Sequence, residues 1–211
     1  MLNKSILAAG IGLLFSTAAA QAAPITVAPP PLVAFGDVTA VYVFADAADA
    51  SILNELTPQA FPQIFCNHSV SGCTASVSGD TDELFPPSQS GPMVFSLENT
   101  TRSTTYFSNA ADSDGNYHVR ITDTYSDFGV GALPAAAATA LAGLSGSIIF
   151  VGWEDKNLAQ GSDFDYNDLI FAFANTRTTT EIPEPLTLSL FGAGLAGAAW
   201  AGRRRSKKIK A

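Results

Sequence analysis

"SIIFVGWEDKNLAQGSDFDYNDLIFAFA", Ser147 to Ala174, sets two apolar runs around an acidic one. Ser147 to Trp153 is continuous, apolar and bounded by glycine, the pattern of a strand buried on both faces. Leu169 to Ala174 is a second such run, expected to close the sheet. Between them stand five carboxylates (Glu154, Asp155, Asp163, Asp165 and Asp168) and one cation, Lys156. In a straight strand, Asp163, Asp165 and Asn167 would share a row with Leu169, Phe171 and Phe173. Carboxylates cannot continue a core row without a heavy desolvation cost. The chain must therefore curl before about Asn167, and Gly161-Ser162 supplies the freedom to do so.

Outward from this stretch the chain reads as β. Turn residues recur about every ten positions and helical periodicity is weak, which predicts an all-β, antiparallel β-sandwich or jelly-roll ectodomain. In "YHVRITDTY", Tyr117, Val119, Ile121 and Tyr125 share one face and His118, Arg120, Thr122 and Thr124 the other. Strands are also expected at Val38 to Ala45, Met93 to Leu97 and Thr104 to Phe107, the last two able to pair. "PPSQSGP", Pro86 to Pro92, reads as a loop. Helix is expected only at Asp46 to Leu56 and in the alanine-rich stretch Pro134 to Leu144.

Charge and cysteine usage narrow the partners. The whole chain carries −8, but Pro24 to Ile182 holds 18 acidic residues against four basic ones, a balance of −14. Nucleic acid and anionic membrane surfaces need a positive face, so neither suits this segment. Divalent cations, or neutral and cationic polymers, fit better. Cys66 and Cys73 are the only cysteines; in an exported protein they are expected to form a short disulfide loop. His68 inside that loop would make three metal ligands with no fourth in view, so the disulfide is preferred.

Oxygen donors at every second residue, as in "DFDYND", are what Ca²⁺ takes at 2.3–2.6 Å. The candidate donors are carboxylates, an amide carbonyl and backbone carbonyls of this segment. The spacing is not that of an EF-hand, because Asp168 and Ala174 stand where that loop needs glycine and glutamate. A second acidic turn, "DSDGNY", offers Asp112, Asp114 and Asn116 around Gly115, in competition with an ordinary Asp-Gly hairpin turn. No hydrolase elbow, phosphate loop, HExxH or dinucleotide fingerprint is present, and the expectation is that the protein is not an enzyme. The least favoured reading is a glycosidase using Glu154 with Asp163.

The two ends read as addresses. Lys4, the apolar run Ile6 to Phe15 and Ala20-Gln21-Ala22 have the order of a signal peptide over 1–22, implying passage through the Sec export machinery. Residues 23–181 would be the ectodomain, and 182–211 a tail. Within the tail, 186–202 is uncharged and just long enough for one transmembrane helix. Its small residues, Gly192 to Ala198, favour close approach of another helix. Arg203, Arg204 and Arg205 open the basic run 203–210, which keeps the C-terminus cytoplasmic. Pro183-Glu184-Pro185, the span and the arginine cluster together resemble the PEP-CTERM sorting signal of Gram-negative bacteria. That resemblance implies an exosortase-type membrane protease as partner, an inner-membrane-anchored precursor, and delivery to the cell surface or beyond, in species that make exopolysaccharide.

A second resemblance covers about 112–174. "DGNYH", followed by "VGWEDKNLAQGSDFDYNDLIF", is similar to an uncharacterised domain of bacterial surface and matrix proteins. Its signature is Gly-aromatic-Glu-Asp, then Asp-x-Asp-aromatic-Asn-Asp and an apolar strand. "KNLAQGS" departs from its glycine-rich gap, and Phe164 stands where a basic residue is common. The resemblance implies calcium at Glu154, Asp155, Asp163, Asp165, Asn167 and Asp168, and no catalysis. The expectation is thus a calcium-stabilised surface or matrix component. The alternative is a calcium-dependent carbohydrate-binding module, with Trp153, Tyr166 and Tyr117 as exposed stacking rings.

Overall fold

The computed structural model describes residues 23–58, 60–84 and 90–179. The expected signal peptide over 1–22, the tripeptide Pro183-Glu184-Pro185, the expected span 186–202 and the expected anchor Arg203, Arg204 and Arg205 lie outside the described residues. Among the described residues, no helix is long and apolar enough to cross a membrane.

Among the described residues eleven strands follow one another as β1 (Leu32–Phe35), β2 (Thr39–Ala45), β3 (Ser51–Thr57), β4 (Phe61–Cys66), β5 (Thr81–Glu83), β6 (Ser90–Asn99), β7 (Thr104–Phe107), β8 (Val119–Thr122), β9 (Ile148–Trp153), β10 (Leu169–Ala174) and β11 (Thr176–Thr178). They form two antiparallel sheets. One has the order β11-β1-β6-β3-β4, with β7 also on β6; the other is β5-β2-β10-β9-β8. The first strand pairs with the last and the second with the last but one, so the two ends of the domain meet.

Alternation along the strands explains the packing. Ile149, Val151 and Trp153 of β9 and Leu169, Phe171 and Phe173 of β10 point one way, into a core shared with Leu32, Leu53, Phe95 and Leu97 of the other sheet. Phe65 stacks on Phe171 at 5.9 Å, and Phe95 meets Phe173 at 4.6 Å. Ile170, Ala172 and Phe150 point the other way, and they too are covered. The cover is α1 (Ala135–Ala142), the 3₁₀ turn Tyr125–Phe128, and the aromatic pair Phe164 and Tyr166. This is why β9 and β10 lack polar alternation: each is buried on both faces.

Three elements differ from expectation. The segment read as a helix at 46–56 contains strand β3, held between β4 and β6. Pairing on both edges and burial of Ser51, Ile52 and Leu53 override the helical propensity of the alanines before them. Leu169–Ala174 does not close its sheet but lies inside it, between β2 and β9. The alanine-rich helix is present as α1, β6 begins at Ser90 inside the expected loop, and Cys66 and Cys73 form the disulfide.

Gly152 is required by contact rather than by backbone angle. A Cβ there would meet the Phe128 ring at 2.2 Å and the Tyr166 carbonyl oxygen at 2.3 Å. Gly152→Ala is therefore expected to destabilise the protein by about 1–3 kcal/mol, as overpacking does. In Gly143→Ala the new Cβ comes no closer than 3.6 Å to its nearest neighbour, so that variant should melt like the parent. Equal melting temperatures for the two variants would contradict this account.

Candidate metal centre in the β9–β10 connection

The acidic segment spans the connection between β9 and β10, whose ladder closes at Trp153 opposite Leu169. It curls as the sequence requires, and the bends are at Phe164 and Tyr166, with φ of +56° and +62°. These left-handed turns fold both rings back onto the outer face of the sheet, where Phe164 is 4 % exposed and Tyr166 fully buried. Asp163 and Asp165, the residues between and before them, are left towards the rim. Tyr166 is the anchor of the loop. Its hydroxyl accepts from Ile25 N at 2.8 Å and donates to the Tyr117 carbonyl at 3.3 Å, and Arg120 lies over its ring.

The structure divides the six expected ligands. Carboxylate oxygens of Glu154, Asp163 and Asp165 converge, each within 4.8 Å of the others. Asn167 stands beside them, but its backbone N and side-chain amide both donate to Asp165, which orients that carboxylate. Asp155 and Asp168 form a separate pair, in which Asp155 N donates to Asp168 Oδ2 at 2.9 Å. Adjacent residues of an extended chain face opposite ways. Glu154 thus continues the outer row of β9 and Asp155 the inner one, where Asn99 donates to its carbonyl.

The two groups are compensated differently. Lys156 Nζ lies 3.6 Å from Asp155 Oδ1, and the neighbouring Asp49 pairs with Arg102. Among the described residues no Lys or Arg forms an ion pair with Glu154, Asp163 or Asp165. Glu154, with no exposed surface, accepts from the Ser162 hydroxyl and from Tyr166 N at 2.6 Å. Burial, with the charges of Asp168 and Asp163 added, nevertheless pushes its pKa up to about 7. Burial raises Asp165 as well, and raises Asp168 to about 7 with the Asp155 charge contributing. These are the marks of a site that holds more negative charge than its own surroundings stabilise. Oxygen donors with the spacing and mixed exposure of Glu154, Asp163 and Asp165 fit a hard dication such as Ca²⁺.

The second acidic turn is rearranged in one respect. Asp112 and Asp114 converge, and His118 joins them. Asn116 N instead donates to Asp114 Oδ1 at 2.9 Å, an ordinary turn contact. Alternation of oxygen donors does not single out His118, although it stands four residues after Asp114. The turn also docks on the longer loop: Leu158 N donates to Asp114 Oδ2 at 3.1 Å and the Asn157 amide to Asp112 at 3.5 Å. Of the three expected stacking rings, Trp153 and Tyr166 are in the core and Tyr117 is half-buried.

The model of the PEP-CTERM protein-sorting motif matches residues 181–205. A signal of this kind implies an exported protein that passes through a membrane-anchored precursor and is processed by an exosortase, itself a membrane protein. No curated protein and no solved structure matches the chain.

The raised carboxylates set a sign for the pH dependence. A group whose folded pKa lies above its unfolded value stabilises the fold below the unfolded pKa and ceases to do so as pH rises through the folded one. For Glu154 and Asp168 that window runs from about 4 to about 7. In Asp49 burial is outweighed by hydrogen bonds from Asn99 and Arg102, so its pKa is lowered and its contribution changes only at more acid pH. In EDTA, the melting temperature should therefore fall between pH 5 and pH 8. A flat or rising profile over that interval would contradict the assignment.

Proposed function

We propose that the protein is a calcium-stabilised structural component of the bacterial surface or extracellular matrix, exported by Sec and delivered through its PEP-CTERM tail. The observation that carries the calcium reading is the convergence of Glu154, Asp163 and Asp165 within 4.8 Å without a paired cation among the described residues. A dication there would offset their repulsion and lock the fifteen-residue connection between β9 and β10 onto the sheet. Two unit charges 4 Å apart repel by about 1 kcal/mol in water and by about 4 kcal/mol near a protein surface, so the effect on stability is substantial. The resemblance of 112–174 to a domain of surface and matrix proteins supports the same reading, and so does the setting of exopolysaccharide-making species in which such tails are found.

A structural role is preferred to sugar binding because two of the three rings that would stack on a sugar, Trp153 and Tyr166, have no exposed surface and the third, Tyr117, is half-buried. Catalysis forms no part of the proposal. The buried Glu154 carboxylate already accepts two hydrogen bonds, which suits a ligand oriented for an ion rather than an acid open to substrate.

The test is thermal unfolding of the full-length protein in EDTA and in calcium. At free calcium a hundredfold above Kd, linkage gives about 2.7 kcal/mol, a rise of about 5–10 °C for a domain of this size. Asp163 is exposed, so Asp163→Asn should fold normally and lose most of that rise. Terbium bound at the same oxygens should emit on tryptophan excitation, since Trp153 adjoins Glu154. A shift below about 1 °C together with no sensitised emission would remove calcium from the account.

A further inference from the structure

We infer that the turn between β7 and β8 holds a second, chemically distinct metal site, in which His118 Nε2 and the carboxylates of Asp112 and Asp114 bind a zinc-type divalent ion. The three ligand atoms lie within 4.8 Å of one another. Asp114 Oδ2 and Oδ1 are 3.2 and 3.4 Å from His118 Nε2. One nitrogen with two carboxylates suits first-row ions such as Zn²⁺, whose sites are commonly completed by water, whereas calcium takes oxygen donors almost throughout.

The histidine is what separates this cluster from an ordinary acidic turn. Its side chain is 1 % exposed and its Nε2 faces the carboxylates, while Nδ1 is buried without a hydrogen-bond partner and would carry an unpaired N–H that ion binding must outweigh. All its polar contacts are on the Nε2 side, aimed at the carboxylates. The ring is also held in place. Tyr106 packs against it with centroids 4.4 Å apart, and Phe164 approaches from the other loop at 5.8 Å. An imidazole clamped between aromatic rings loses little freedom on binding an ion, which is the preorganisation a first ligand needs. A cavity of about 110 Å³ lies against Asp112, His118 and Tyr106, two of the three ligands among its walls.

The site sits back to back with the Glu154 cluster. Glu154 N donates to the His118 carbonyl at 2.9 Å, while Phe164 and Leu158 of the acidic connection touch His118 and Asp114. An ion on His118 would hold the β7–β8 turn to the same loop that the first ion orders. The two sites nevertheless differ in ligand chemistry and share no ligand, so either can exist without the other.

Cobalt(II) reports on such a site directly, because nitrogen and oxygen ligation at low coordination number gives a visible ligand-field band. The full-length protein, freed of metal, should develop that band on titration with Co²⁺ and lose it on addition of Zn²⁺, while excess Ca²⁺ leaves it in place. Asp112→Asn, at a partly exposed position, should weaken Co²⁺ binding at least tenfold, and His118→Gln should abolish the band. Both variants should keep the calcium-dependent rise in melting temperature. Should His118→Gln fail to fold, Asp112→Asn alone decides the matter. The inference is overturned if the wild-type protein gives no band, if Asp112→Asn binds Co²⁺ as tightly as wild type, or if Asp163→Asn abolishes the band. A cobalt band without any calcium response would sustain this site while removing the one proposed above.

Discussion

Negative charge packed against the ends of two strands that are buried on both faces is the constraint on which this fold turns. β9 and β10 are apolar throughout because one sheet face meets the other sheet and the opposite face is roofed by α1, the 3₁₀ turn and two aromatic rings. Where such strands end, the chain passes from the driest part of the protein directly into carboxylates. Water can solvate only some of them; Glu154 and Asp155 have no exposed surface. Their stability must come from specific partners, and each set of partners gives its part of the loop a definite shape.

The structure answers the problem twice. On the inner row, Asp155 meets a protein cation, Lys156, within a wider arrangement that includes Asp49, Asn99 and Arg102. On the outer row the described residues supply hydrogen-bond donors, from Ser162 and Tyr166, but no paired cation. The left-handed bends at Phe164 and Tyr166 serve both purposes at once. They press two rings onto the sheet, which helps make the outer face dry, and they turn Asp163 and Asp165 toward the rim. Burial of the rings and convergence of the carboxylates are thus one conformational event.

What could be read from the amino acids follows from how local each signal is. β9 and β10 were legible because an uninterrupted apolar run admits few alternatives, and the curl before Asn167 was legible because its absence would bury charge. β3 was not, since its strand character is imposed by β4 and β6 from outside, and an alanine-rich approach gives no local hint of that. The acidic residues were identifiable as a group, but not their division: Glu154 and Asp155 look alike in sequence and part company only through the alternation of the strand before them. His118 escaped notice because its environment depends on Tyr106 and Phe164, which are distant along the chain.

The pairing of the first strand with the last has a mechanical side. β11 lies alongside β1, with Thr178 opposite Leu32, and Thr179 N still donates to the Pro31 carbonyl. The chain leaves this sheet edge for the segment that carries the sorting motif. Ladder hydrogen bonds run perpendicular to a strand, so tension applied along β11 loads its bonds together, in shear, instead of peeling them one after another. A pull transmitted along β11 from its C-terminal end would therefore meet the whole β1–β11 ladder at once.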